Sequence, residues 1–510
     1  SWSGSTPTTV QAAPNATVTV KGSDLVRGWT SLGGGKWVKN SWTTNSQQVF
    51  VNGNALQQIA GQIWNGYPSD PNHPLHNIGH EFWPSRVNGN ETSMPENSFY
   101  YKQSTQQLFV RVPSSVDLNS QTVEVSTRTY WLVANGVSGL VLRGLHFAHA
   151  NMSGNLAWEQ RNGSVRLSGN HILVDDISIA HADAIGLKMV GDDNTVQNSA
   201  VSHSGQLGVA AVGYRNRFLD NEITYNNERE FWKYWASGGF KFVGDGGLKD
   251  SEVAGNRVLY NLGDGIWFDW KNQNNRIHDN VVAYNSGFGI HYEVSERGYI
   301  YDNYVFANGQ RGIYIAESFD SLITHNLVAF NTLAGITVID QGGRGGQSPI
   351  DNQIVGNIVA WNSEGELILP NGIMGNRSDY DLYVTSGRQP KFSIGWGHWT
   401  SGLDAWRQAA NEDPNSWGRT PSASQTLAQA VAAKNLAVDW SELRTLASQF
   451  TVRWQQTGSA ELNAIVDGTP PGPRRTMAAL LGTDTSGSGD NPVPQAPTGL
   501  QLNIVNAGGT

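Results

Sequence analysis

Cysteine is absent from this chain of 510 residues, so the chain can form neither a disulfide bond nor a thiolate metal site. Charged side chains are also scarce, at 15% of residues, and the formal net charge is -9. A chain with this charge lacks the basic face that nucleic-acid phosphates require, which argues against a nucleic-acid partner. The sequence contains no run of about 18 apolar residues, so we expect no membrane span.

An initiator methionine is missing too, since the chain opens at Ser1 and Trp2. Together with the lack of cysteine, this favours a bacterial protein that is processed and then secreted or held in the periplasm.

Glycine and tryptophan, by contrast, are abundant. The 58 glycines suit tight turns between short strands. The 19 tryptophans supply flat amphipathic rings, and we expect some of them to stack on sugars.

One phrase recurs through the middle of the chain: an asparagine, a mostly apolar stretch, a second asparagine, a turn and, in most copies, a Gly-Ile pair. The copies are Asn256 to Asn261, Asn280 to Asn285, Asn303 to Asn308, Asn326 to Asn331 and Asn357 to Asn362. The first four copies are 24, 23 and 23 residues apart, which is the period of a solenoid. β-Branched and aromatic residues favour strands over the helical segment of a leucine-rich repeat. The sequence therefore predicts an all-β fold, a right-handed parallel β-helix with asparagines stacked inside.

This repeat also suggests how the chain is divided. We expect a first coil or coils, an inserted β-rich and sandwich-like domain, the main β-helix, a mixed extension with short helices, and a linker or tail. The corresponding ranges are 1–26, 27–122, 123–362, 363–483 and 484–510. Helical spacing within the extension predicts helices near 403–411 and 440–450.

Strand alternation turns a set of polar side chains outward on consecutive coils. If Ile266 and Phe268 face the core, Trp267 and Asp269 face out, and the next coil repeats this pattern. One outward row then contains Lys188, Lys241, Trp267, His291 and Tyr314. The adjacent row places Asp269 beside Glu293.

Neighbouring strands lie ~4.8 Å apart, so the carboxyl groups of Asp269 and Glu293 should be roughly 5 Å apart. Retaining glycosidases have about this separation, whereas most inverting enzymes need ~6.5–9.5 Å. Two close carboxylates resist double ionisation, so one pKa rises, as a general acid requires. The spacing predicts a nucleophile and an acid/base, with the adjacent row contacting substrate.

The pair Trp267-Phe268-Asp269 and His291-Tyr292-Glu293 resembles the β-helix glycoside hydrolases of family 120, which are β-xylosidases, with family 141 as a near relation. The resemblance extends over most of residues 10 to 480, including an insertion between early coils. It implies that Asp269 is the nucleophile and Glu293 the acid/base of a secreted enzyme that cleaves a xylan-type polysaccharide or oligosaccharide.

Other interpretations remain open. The pair could be solvated carboxylates or a cation site, and a β-helix can also carry a non-catalytic glycan-binding adhesin. A polysaccharide lyase would use Lys188 or Lys241 as its base, with Asp269 and Glu293 as metal ligands. Few arginines are expected near the column, which favours the hydrolase. We expect no resident cofactor, although a structural calcium ion is compatible with the acidic turns. The loops 228–237 and 341–350 are candidate walls of the cleft.

Overall fold

The computed structural model describes residues 8–59, 89–151, 163–231, 233, 235–244, 246–436, 438–454, 466 and 468–482. The predicted linker 484–510, the first residues of the predicted first coil and residues 60–88 of the predicted insertion lie outside this set.

Three long sheets run along the molecule, and each takes one strand from each successive coil, so the fold is a parallel β-helix. Sheet 1 consists of Leu132–Ser138, Gly163–Asn170, Ile185–Val190, Leu207–Tyr214, Gly238–Phe242, Asp264–Asp269, Ile290–Glu293, Ile313–Ala316, Ile336–Ile339, Leu367–Leu369, Lys391–Ile394 and an antiparallel Trp399–Ser401, with Leu248–Lys249 at one side.

Sheet 2 consists of Thr8–Gln11, Leu140–Arg143, Leu173–Asp175, Thr195–Gln197, Arg217–Leu219, Glu252–Ala254, Arg276–His278, Tyr299–Tyr301, Leu322–Thr324, Gln353–Val355 and Arg377–Asp379. Sheet 3 consists of Val18–Lys21, Leu145–Ala148, Ser178–Ala180, Ala200–Ser202, Glu222–Thr224, Arg257–Leu259, Val281–Ala283, Tyr304–Phe306, Leu327–Ala329, Ile358–Ala360, Leu382–Val384 and Trp417–Arg419.

Stacked asparagines occupy the interior, as the repeat predicts. The Nδ2 of Asn280 donates to the Oδ1 of Asn303 at 3.0 Å, and Asn303 donates in the same way to Asn326 at 2.9 Å. The Gly-Ile pairs follow from close packing between sheets. A Cβ at Gly289 would lie 2.4 Å from the Val305 side chain, so only glycine fits there.

Two mainly antiparallel sheets between the first and second coils form the insertion, with one parallel pairing between Gln57–Gln58 and Ser98–Lys102. One contains Ser23–Leu25, Val49–Val51, Asn54–Ala55 and Val123–Ser126; the other contains Thr30–Gly33, Lys36–Lys39, Gln57–Gln58, Ser98–Lys102 and Gln107–Arg111. Short 3₁₀ turns lie at Gln103–Thr105 and Leu118–Ser120. The placement of Val123–Ser126 in the main β-helix is wrong, because this strand pairs antiparallel with two strands of the insertion.

The β-helix also continues beyond residue 362, where the prediction ends it. Leu382–Val384 and Trp417–Arg419 extend sheet 3 although the asparagine phrase has faded. The helices expected in this extension are present at Leu403–Ala410 and Ser441–Ala447. Two further helices, Gln425–Ala432 and Met477–Leu480, were not predicted. Within the described part of the chain, no helix has the length and apolar character needed to cross a bilayer.

Candidate active site

The predicted register of the outward rows on sheet 1 is confirmed. Asp269 pairs with Glu293 across neighbouring strands. The companion row runs in register through Lys188, Ala210, Lys241, Trp267, His291, Tyr314 and Thr337. Ile266 and Phe268 pack in the core on the opposite face, as alternation requires.

The centre of these rows is covered rather than open. The exposed fraction is 6% for Asp269 and 4% for each of Trp267, His291 and Glu293. Part of the cover is Trp235, whose carbonyl oxygen accepts a hydrogen bond from Lys241 Nζ. Because water is largely excluded, charges in this site interact more strongly than they would at the surface.

Asp269 is paired with Lys241 through one carboxylate oxygen, and its other oxygen has no hydrogen bond. Its Oδ2 lies 3.1 Å from Lys241 Nζ, and the same ammonium lies 3.1 Å from the centre of the Trp267 ring. Burial lowers the pKa of Lys241, and the charge of Asp269 opposes that shift. Asp269 Oδ1 is buried without a hydrogen-bond partner, which leaves its lone pairs available to a substrate atom.

Glu293 faces a histidine whose tautomer is set by Asp264. His291 Nδ1 lies 2.9 Å from Asp264 Oδ2, and because a carboxylate can only accept, we assign the proton to Nδ1. His291 Nε2 is then an acceptor, 3.4 Å from Glu293 Oε2. Burial lowers the pKa of His291, with Asp264 opposing, which favours the neutral ring. A neutral His291 can share a proton with Glu293, which also accepts from Trp267 Nε1 at 3.1 Å.

Arg344 closes the site above both carboxylates. Its Nη1 is in direct contact with Glu293 Oε1, and its Nη2 lies 3.6 Å from Asp269 Oδ1. With Lys241, it supplies two positive charges for the two carboxylates. The expectation that arginine is sparse near these rows is therefore wrong, because Arg344 lies beside both candidate carboxylates.

The turn that carries Arg344 is held by Glu317. The Glu317 carboxylate, which is fully buried, accepts the backbone N–H groups of Gln341 and Gly343. Gly345 follows Arg344 with φ +69°, and a Cβ there would lie 2.4 Å from Val294. These contacts hold the turn against sheet 1. The segment 341–350, predicted as a wall of the cleft, therefore covers the two carboxylates.

Tyr314 and Lys188 lie at the edges of the site. The Tyr314 ring stacks on Phe288, 4.4 Å between centroids, and its hydroxyl accepts from Gln341 at 2.8 Å. Burial raises the pKa of Tyr314. Lys188 is separated from Lys241 by Ala210, which is two strand spacings or ~10 Å. Tyr314 thus contacts the covering turn through Gln341, and Lys188 lies further along the same face.

Sequence reasoning misses Arg344 and Asp264. Asp264 stands directly before Gly265, where the aligned residues of the next coils are Phe288 and Arg311, so an acid at this position was a usable signal. Arg344 belongs to no repeat, and only the fold of its turn brings it to the carboxylates.

A family model described as the right-handed β-helix region matches residues 163–328, which agrees with the predicted handedness. No curated protein matches the chain. Solved structures that resemble it include XylC in complex with xylose (12% identity, 82% of this chain and 77% of that one, TM-score 0.48) and a glycoside hydrolase (11%, 83% and 86%, 0.47). The A-module of the mannuronan C-5 epimerase AlgE4 from Azotobacter vinelandii is another (14%, 58% and 84%, 0.42). Likeness at this level concerns the fold and carries no information on activity.

Proposed function

We propose that this protein is a secreted glycoside hydrolase that cleaves a polysaccharide or oligosaccharide, of xylan type, with retention of configuration. The observation that carries the proposal is the pairing of Asp269 with Glu293 in one register position of neighbouring strands. Strand spacing places such groups ~5 Å apart, the distance that suits a nucleophile and an acid/base.

In the first step, Asp269 Oδ1 attacks the anomeric carbon and forms a glycosyl ester while Glu293 protonates the leaving oxygen. Lys241 holds the attacking carboxylate in place through its 3.1 Å ion pair with Asp269 Oδ2. In the second step Glu293 takes a proton from water, which attacks the same carbon and releases Asp269. Neutral His291 lies beside Glu293 and can share the proton taken from water until the next turnover.

Substrate reaches these groups only when Arg344 moves, because its guanidinium contacts both carboxylates. Its side chain is 41% exposed, so it can swing into solvent without crossing the core. Trp267, His291, Lys241 and Tyr314 then line the sugar site, and Lys188 extends it along the row. A structural calcium ion stays an expectation, and no step requires one.

The test is Asp269→Ala with aryl glycosides. We expect kcat to fall about 10⁴-fold or more, and azide to restore part of the turnover by filling the space of the lost carboxylate. NMR of the first product of the wild-type enzyme should show retained configuration. Asp404→Ala is the control, since this exposed helical aspartate lies far along the chain and its side chain is 91% exposed. Full activity in Asp269→Ala, or an inverted product, contradicts the proposal.

A polysaccharide lyase is the second candidate, and Arg344 with Lys241 favours it. An arginine can pair with a uronate carboxylate, and a buried lysine with a lowered pKa suits a general base. Asp269 and Glu293 would then act as metal ligands. A product with new absorbance near the ultraviolet edge, lost when a chelator is added, supports the lyase and excludes the hydrolase.

A further inference from the structure

A second group of titratable side chains lies away from the active site, at the corner that follows sheet 3. His181 and His203 come directly after the strands Ser178–Ala180 and Ala200–Ser202 of consecutive coils. Both adopt the left-handed conformation, with φ of 55° and 54°. Because the turns are identical, the two imidazoles stack, with centroids 5.0 Å apart and ring planes 23° apart.

Glu228 meets these rings from the loop of the following coil. One of its oxygens contacts His203 Nδ1 directly, and the other lies 3.6 Å from His181 Nδ1. The three ligand atoms lie within 4.8 Å of one another. His181 Nδ1 is buried without a hydrogen-bond partner, so its contact with Glu228 does not satisfy it.

We propose that His181, His203 and Glu228 bind a divalent transition-metal ion of the Zn²⁺ class. Two imidazoles and one carboxylate are a ligand set that zinc uses, with a fourth position left to water. The side chains are 23%, 37% and 42% exposed, so an ion can enter from solvent.

The position of the site indicates what the ion does. Next to Glu228, Arg229 donates to Gln58 Oε1 of the insertion at 2.7 Å. The Phe50 ring of the insertion lies 5.2 Å from the His181 ring. An ion at this corner therefore joins two coils and the loop on which the insertion docks. This role is structural and independent of the proposed glycosidase chemistry.

The experiment is a calorimetric titration of the metal-depleted full chain with Zn²⁺. We expect one ion per chain and a higher thermal midpoint of unfolding once it is bound. His203→Ala and Glu228→Gln should each weaken binding about tenfold or more. His171→Ala is the matched control, since His171 has the same φ of 54° at an exposed corner and should leave binding unchanged.

A measurement on the unaltered chain guards against variants that fail to fold. Cu²⁺ bound at one equivalent should show electron-spin-resonance coupling to two imidazole nitrogens. Absence of saturable Zn²⁺ binding, affinity unchanged in both ligand variants, or coupling that lacks two nitrogens each overturns the proposal.

Discussion

The asparagine ladder is the interior stack that includes Asn256, Asn280 and Asn303. The carboxylate column is Asp269 and Glu293 together with the companion row of Lys241, Trp267 and His291. Both are stacks of buried side chains, and they differ in how their polar atoms are satisfied. In the ladder each residue repeats its neighbour. Asn280 Oδ1 accepts the backbone N–H and the side-chain amide of Asn256, both at 2.9 Å. In the column unlike residues stack, and Asp269 Oδ1 and His291 Nε2 are buried without a hydrogen-bond partner.

The two stacks therefore have different roles, although the same repeat produces both. A ladder of identical amides satisfies itself and holds the coils in register. A column of unlike groups leaves acceptors free. Its carboxylates are balanced by Lys241 of the companion row and by Arg344 of the turn above it. Unsatisfied buried atoms are common at functional sites, which agrees with the proposed function of this column.

The largest effect on stability should come from breaking the ladder at Asn280→Ala. The change leaves the Asn256 backbone N–H without its acceptor and removes the side-chain donor to the Asn303 Oδ1 and the Val253 carbonyl in the buried interior. We expect a loss of about 3 to 5 kcal/mol in the free energy of unfolding, measured by denaturant titration. Asn135→Ala, at an exposed strand position, should cost under about 0.5 kcal/mol. Equal losses in the two variants would remove the distinction between ladder and surface.

Asp264→Asn should break the column without breaking the fold. The amide of the new side chain can donate to His291 Nδ1, which moves the ring proton to Nε2, facing Glu293. His291 then cannot accept the proton of Glu293, and we expect kcat/KM to fall about 100-fold. Nitrogen NMR of the histidine reports the tautomer directly, and Asp404→Asn is the control. A changed tautomer with unchanged kcat/KM would show that His291 takes no part in proton transfer.

Asp381→Asn extends the ladder by replacing the carboxylate at its end, where Asp381 Oδ1 accepts from Asn357 at 2.9 Å. Burial and the nearby Asp413 raise the pKa of Asp381 well above its usual value. As pH rises, the folded chain therefore keeps this proton longer than the unfolded chain does. The contribution of protonated Asp381 to stability is full below about pH 3.9 and is lost as pH rises through the folded-state pKa.

We thus expect Asp381→Asn to be more stable than the wild type by about 1 to 2 kcal/mol at pH 7 and similar to it at pH 3. Thermal unfolding across this pH range checks the difference. A stability gain that does not depend on pH would mean that the Asp381 charge contributes nothing.

The smallest effect is a shift in the pH profile of Arg344→Ala. The variant removes a cation that contacts Glu293 and lies near Asp269. Because a nearby positive charge favours an ionised carboxylate, we expect the acidic limb of kcat/KM to move up by about one pH unit. Arg419→Ala, in the extension, should leave the profile in place. An unshifted acidic limb in Arg344→Ala would mean that the guanidinium does not lie beside the carboxylates in the free enzyme in solution.

Several features followed from the sequence because they repeat along it. A period of about 23 residues aligns each coil with the next, so the pairing of Asp269 with Glu293 and the row from Lys188 to Tyr314 could be predicted from counting and alternation alone. The asparagine stack followed for the same reason. The prediction for Val123–Ser126 was wrong because the sequence of a short alternating strand looks the same in a solenoid and in an inserted sheet.

The tertiary structure alone decided what closes the site. Arg344 is 75 residues from Asp269 along the chain, and only the turn anchored on Glu317 brings it above the carboxylates. Asp264 meets His291 from the first residue of its strand, where alternation does not predict the side-chain direction. Repetition specifies contacts between equivalent positions, whereas contacts between non-equivalent positions depend on how loops fold back. The sequence therefore determined the β-helix and its paired carboxylates, and the folded loops decided that this pair is buried, charge-balanced and set beside a neutral histidine.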